Sequence, residues 1–127
     1  MKSTTQAAII ITLASLAAGQ AFGASIRVQC EARGTDRAKV SIDGRDLAAG
    51  KYTTVAVSGG SMAASPAQAA VAGQVESDFD SNANDIRAGA VAIPSTFINN
   101  ASVTGKIVDA TGHTVIADTV SCRVRAR

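Results

Sequence analysis

Residues 25–33 read SIRVQCEAR, and this stretch decides the fold. Ile26, Val28, Cys30 and Ala32 fall on one face, and Arg27, Gln29, Glu31 and Arg33 on the other. A period of two marks a strand with one buried and one wet face. Gly34-Thr35-Asp36 turns the chain, after which Ala38, Val40 and Ile42 alternate with Lys39, Ser41 and Asp43. The pair predicts a β-hairpin. Asp43-Gly44 reads as the next turn, because glycine accepts positive φ.

Downstream the same grammar repeats. Lys51–Ser58 predicts a third strand, broken by Ser58-Gly59-Gly60-Ser61. Met62–Gly73 is Ala-rich with Pro66 inside. It reads as a short helix starting at Ser65-Pro66, an irregular crossover, or a weak edge strand. Gln74–Asp80 predicts a strand with Val75, Ser77 and Phe79 on one face, followed by a polar loop at Ser81–Asn84. Ser102–Asp109 and Thr114–Val124 form the clearest hairpin, turning at Ala110–His113, with Ile116, Val120, Cys122 and Val124 on one face. Short strands with frequent turn signals predict an all-β domain, a small antiparallel β-sandwich or barrel.

Upstream of this domain the chain reads as a signal peptide. Met1-Lys2 is a short positive region, Ala7–Ala18 is apolar and uncharged, and Ala21-Phe22-Gly23 offers small residues for cleavage. Cleavage is expected after Gly23, with Ala21 as the near alternative. This divides the chain into a signal peptide at 1–23 and one β-sandwich domain at 24–127. An apolar run of about 12 residues is too short to span a bilayer, so no membrane insertion is expected after cleavage. The expected location is periplasmic or secreted.

Export permits a disulfide. Cys30 and Cys122 are the only two cysteines, so a single intramolecular pairing exists. Both sit on apolar faces near the ends of the mature domain. The first and last strands are then neighbours in a sheet or face each other across the core. Zinc held by the two thiols and His113 lacks the usual ligand-pair spacing.

Composition narrows the function. Removal of Lys2 from twelve basic side chains leaves eleven against ten acidic ones, a net charge of +1. No nucleic-acid partner is suggested. Tyr52, Phe79 and Phe97 are the only aromatics past the signal segment, which leaves little material for stacking on bases. The Gly59–Ala63 segment faintly matches a hydrolase nucleophile elbow, but that motif needs a strand–turn–helix in a large α/β sheet. His113, the only histidine, falls in a hairpin turn. The chain is therefore expected not to be an enzyme.

The candidate site is the acidic loop Asp78-Phe79-Asp80-Ser81-Asn82-Ala83-Asn84-Asp85. Asp78, Asp80, Asn82 and Asp85 offer the oxygens that Ca²⁺ prefers. Ala83 and Gly89 stand where an EF-hand-type loop needs Gly and Glu. The other reading is an Asx-rich turn capping its own backbone.

The segments RVQC (27–30), IDGRDL (42–47), DFDSN (78–82) and SCRVR (121–125) resemble small exported bacterial proteins of unassigned function. The domain also resembles immunoglobulin-like or fibronectin-like sandwiches of bacterial surface proteins, although it has no Trp. Its Ala, Ser, Thr, Gly and Val content is similar to that of fimbrial subunits, which differ in cysteine placement and C-terminal sequence. The function expected is a non-enzymatic binding or structural module with a protein partner. The alternatives are a Ca²⁺-binding module or a subunit of a cell-surface assembly.

Overall fold

The computed structural model describes residues 23–126. The expected signal peptide falls outside these residues, apart from Gly23. In chain order the elements are β1 (Ser25–Arg33), β2 (Arg37–Arg45), β3 (Lys51–Ser58), β4 (Ser61–Ala64), β5 (Gln68–Ala69), β6 (Val75–Asp80), α1 (Ala83–Arg87), β7 (Val91–Ala92), β8 (Ser102–Asp109), β9 (Thr114–Ser121) and β10 (Arg123–Arg125).

The strands make two sheets. Sheet one runs β9-β8-β3-β4, with β5 also paired to β3, and sheet two runs β10-β1-β2-β6-β7. Pairing is antiparallel except at the two outer pairs of sheet two, β10 with β1 and β7 with β6. The architecture is an all-β sandwich with one short helix.

The opening hairpin follows the alternation of its sequence. Val28 lies opposite Ile42, and Cys30 opposite Val40. Val28, Val40, Ile42 and Phe79 of sheet two share one core with Tyr52, Ala56, Val103 and Ile107 of sheet one. Tyr52 satisfies its hydroxyl by donating to the Ala48 carbonyl at 2.7 Å, as a buried phenol must.

Asp43-Gly44 is not the turn expected there. Both residues lie inside β2, and the chain turns after Arg45, at Asp46 with φ 58°. Gly44 is present because the sheets approach closely. A Cβ on it would lie 2.1 Å from Ile107 Cδ1. Gly105 does the same job from sheet one, where a Cβ would lie 2.6 Å from Val28 Cγ2. Glycine inside a strand often marks such an approach. Gly105→Ala is expected to cost about 1–2 kcal/mol through overpacking, read as a lower midpoint in urea.

Three further differences are local. Met62–Gly73 contains no helix; it forms the edge strands β4 and β5, which matches the weaker-edge reading. The loop expected at Ser81–Asn84 leads into α1 instead. Asn82 caps that helix by accepting from the backbone N–H groups of Asn84 and Asp85 at 2.9 and 3.3 Å. An Asn N-cap replaces missing intrahelical partners, and so short a helix carries too few residues to show an apolar period.

The third difference is in the last strand. Thr114–Val124 splits at Cys122: β9 belongs to sheet one, β10 to sheet two. At the crossing, the Cys122 N–H donates to the Ala101 carbonyl at 2.8 Å. Cys122 is bonded to Cys30, with Cα atoms 4.7 Å apart. The first and last strands are thus neighbours in sheet two. Val124, expected on the apolar face, sits on the edge strand and is 65% exposed.

Among the described residues, one buried side-chain polar atom is unmatched. Thr54 is fully buried in β3, and its Oγ1 has no hydrogen-bond partner among the described residues. An unsatisfied buried hydroxyl costs more than a methyl in its place. Thr54→Val is expected to raise stability by about 1 kcal/mol, seen as a higher urea midpoint at unchanged slope.

Candidate functional site

The acidic loop begins on β6, where Glu76, Asp78 and Asp80 point away from the core, opposite Asp43, Ser41 and Lys39 of β2. An outward carboxylate on a sheet is normally wet, yet Asp80 is only 2% exposed. The chain folds back over it. Ser81 N–H donates to the Ala38 carbonyl at 3.1 Å, and Ser81 Oγ accepts from Ala38 N–H at 3.0 Å. α1 follows, and β7 returns parallel to β6.

Arg37, at the start of β2, closes this corner. Its Nε and Nη2 donate to the two oxygens of Asp80 at 3.1 and 2.8 Å. Nη2 also donates to Asp85 Oδ2 on α1 at 2.8 Å. One guanidinium thus ties β2, β6 and the crossover helix together. Burial pushes the Asp80 carboxyl up, but the hydrogen bonds from Arg37 and Asn82 N–H and the charges of Arg37 and Lys39 outweigh it, and the group is held below its usual range. The hydrogen bond to Asp80 in turn raises Arg37.

The four residues expected to bind Ca²⁺ are engaged with groups of the chain itself. Asp78 accepts from the Ser41 hydroxyl at 2.8 Å on the exposed face. Asp80 and Asp85 share Arg37, and Asn82 caps α1. Among the described residues, no group of three or more His, Cys, Asp or Glu side chains is arranged to hold a metal. The positive charge between the carboxylates is Arg37, which stands 43 residues before Asp80, so only strand register reveals it. Thermal midpoints in calcium and in EDTA are therefore expected to agree. A calcium-specific rise that is lost in Asp78→Asn would instead support the metal reading.

Ser61 and His113 lie far apart. Ser61 pairs with Ser58 at one end of β3, while Asp109 pairs with Tyr52 at the other. Six strand residues at about 3.3 Å each separate the two ends by roughly 20 Å. Asn99 anchors the Ser61 end, its side-chain amide donating to the Ser58 carbonyl at 2.7 Å. At the other end the Asp109 carboxylate organises the hairpin turn. It accepts from the Thr111 hydroxyl at 2.7 Å and from His113 N–H at 3.0 Å, and these bonds, the Thr111 one foremost, lower its pKa.

The two outer faces differ in chemistry. Sheet one presents Thr53, Val55, Thr104 and Thr119, with Thr104 and Thr119 hydroxyls 2.7 Å apart. Sheet two presents charged rows across its strands: Arg123, Glu31 and Lys39 in one, with the covered Asp80 at its end, and Arg27, Asp43 and Glu76 in another. Beside the Arg37 latch lies an open groove of about 430 Å³, with Lys39, Ser41, Gln68, Glu76 and Asp78 among its walls. A smaller recess of about 230 Å³ is lined by Glu31, Arg33, Arg37, Lys39 and Arg125.

No protein-family model matches this sequence, and a search of the curated proteins finds no significant similarity to it.

Proposed function

We propose that this chain is an exported, non-enzymatic β-sandwich module, periplasmic or secreted, that binds its partner through the charged outer face of sheet two. One observation carries the reading: charge is concentrated on that face, while the outer face of sheet one is built from Thr and Val around Lys51 and Lys106. A face kept only for solubility needs no such segregation, because interspersed charges on both faces serve equally well. Latching by Arg37 fixes the crossover beside the groove, and a rigid surface loses less entropy on binding.

The test is a hydrolysis panel of ester, peptide and glycoside substrates with the oxidised protein. The reading expects no turnover above background. Turnover that disappears in Ser61→Ala or His113→Ala would overturn it.

A further inference from the structure

We infer that the recess at the β10–β1–β2 corner of sheet two is a binding site for a phosphate-class oxyanion. The inference rests on the binding reading above and names the chemistry of the ligand.

Register builds the site. Arg125 lies beside Arg33 in the parallel β10–β1 pair, and Arg33 lies opposite Arg37 in the β1–β2 hairpin. Three arginines therefore stand in one row on adjacent strands, which are about 4.8 Å apart. The next row holds Arg123, Glu31 and Lys39. Like charges directly opposite on neighbouring strands repel; Asp80 and Asp85 neutralise Arg37, which leaves Arg33 and Arg125 as the opposed pair that a bound anion would bridge.

The cations are unequally matched. Arg37 is committed to Asp80 and Asp85. Among the described residues, Glu31 is the carboxylate lining the recess, against Arg33, Lys39 and Arg125. It meets Arg125 Nε at 3.0 Å and reaches Arg33 Nη2 only at 3.8 Å. Arg33 and Arg125 keep side-chain exposures of 44% and 47%, so their remaining N–H donors are reachable from solvent. Planar guanidinium forks match the oxygens of phosphate, and a lysine adds a mobile point charge. The recess, about 230 Å³, accommodates a tetrahedral anion with some of its water. Glu31 is the internal competitor, a carboxylate that an incoming phosphate must displace from Arg125.

The experiment is an amide chemical-shift titration of the oxidised protein with inorganic phosphate at constant ionic strength. Shifts are expected at the β10–β1–β2 corner, residues 31–39 and 123–125. Arg33→Gln with Arg125→Gln is expected to weaken binding about tenfold, given the modest worth of each exposed charge contact. Glu31→Gln is expected to tighten it several-fold. The charge-matched control, Arg27→Gln with Arg45→Gln at the other end of the same face, should stay within about twofold of wild type. Asp118→Asn on β9, which adds the same charge as Glu31→Gln, should do likewise. Thermal midpoints check that each variant folds.

Equal losses in the two double arginine variants, equal gains in Glu31→Gln and Asp118→Asn, or no phosphate-induced shifts would overturn the site. Co-sedimentation with phosphatidylcholine vesicles, with and without phosphatidylglycerol, separates the two sources of phosphate. Retention that needs phosphatidylglycerol and falls in the Arg33/Arg125 variant assigns a lipid headgroup. Titration without retention assigns a free phosphate. Failure of the titration removes the phosphate site and leaves the non-enzymatic reading to the hydrolysis panel, whose outcome does not depend on phosphate.

Discussion

Reduction of the Cys30–Cys122 bridge is expected to lower the stability of the domain by about 4 kcal/mol. The two cysteines are 92 residues apart, so the bond closes nearly the whole described chain. Cross-linking so long a loop removes much of the freedom of the unfolded chain, and losing a native bridge in a small exported domain costs about 2–5 kcal/mol. Position adds to length. The bridge lies where the chain leaves sheet one for sheet two, and β10, with only three residues, has no other covalent hold on β1. For a domain near 100 residues each kcal/mol moves the thermal midpoint by about 4–8 °C, so the expected fall is roughly 15–30 °C. Cys30→Ser with Cys122→Ser should match the reduced wild type. A fall of only a few degrees would mean that hydrogen bonding and packing alone close the sandwich.

The second large effect is expected at Arg37. Arg37→Met removes the partner of a carboxylate that is 2% exposed. An uncompensated buried charge is among the costliest single changes, and about 3 kcal/mol is expected here. Adding Asp80→Asn should recover a large part of that loss. The amide oxygen can still accept from Asn82 N–H, now 2.9 Å from Asp80 Oδ1, and no charge is left buried. Urea unfolding of the two variants checks this. A double variant no more stable than Arg37→Met would refute it.

The pH dependence follows from the same pair. Asp80 is held below its usual range in the fold. Its contribution is therefore complete above the ordinary carboxylate pKa near 3.9 and is lost as pH falls through the lower folded value. Arg37→Met removes the hydrogen bond and charge that depress Asp80, so this acid-side loss should shrink in that variant.

The fold was legible wherever alternation was clean. β1, β2 and β8 alternate because one face of each meets the other sheet, and Cys30 falls on that buried face of β1. Gly44 misled because a glycine beside an aspartate signals a turn locally. Its cause, the side chain of Ile107 from the opposite sheet, is a contact between residues distant in sequence. The break at Cys122 was hidden for a related reason. The alternation of β9 continues into β10, and nothing local marks a change of sheet. At the candidate site, the carboxylates and the Asn cap were readable from residue type, but their partner was not. Arg37 reaches Asp80 through the β2–β6 register, which no spacing in the sequence records.

The phosphate recess shows the same limit more sharply. Arg33 and Arg37 are four residues apart, but Arg125 joins them only because the last strand pairs in parallel with the first. Each arginine alone reads as a solvated edge residue. Together they make a row that only the closed sandwich assembles.

A non-reducing peptide map with intact mass decides together whether the chain is exported, as proposed, and whether Cys30 and Cys122 close it end to end. The material should be the protein recovered from outside the cytoplasm of cells making the full chain. The expected result is an N-terminus at Ala24 or Phe22 and one linked peptide pair joining Cys30 to Cys122. Retention of Met1, or free thiols at both cysteines in that fraction, would rule out an exported, bridged domain.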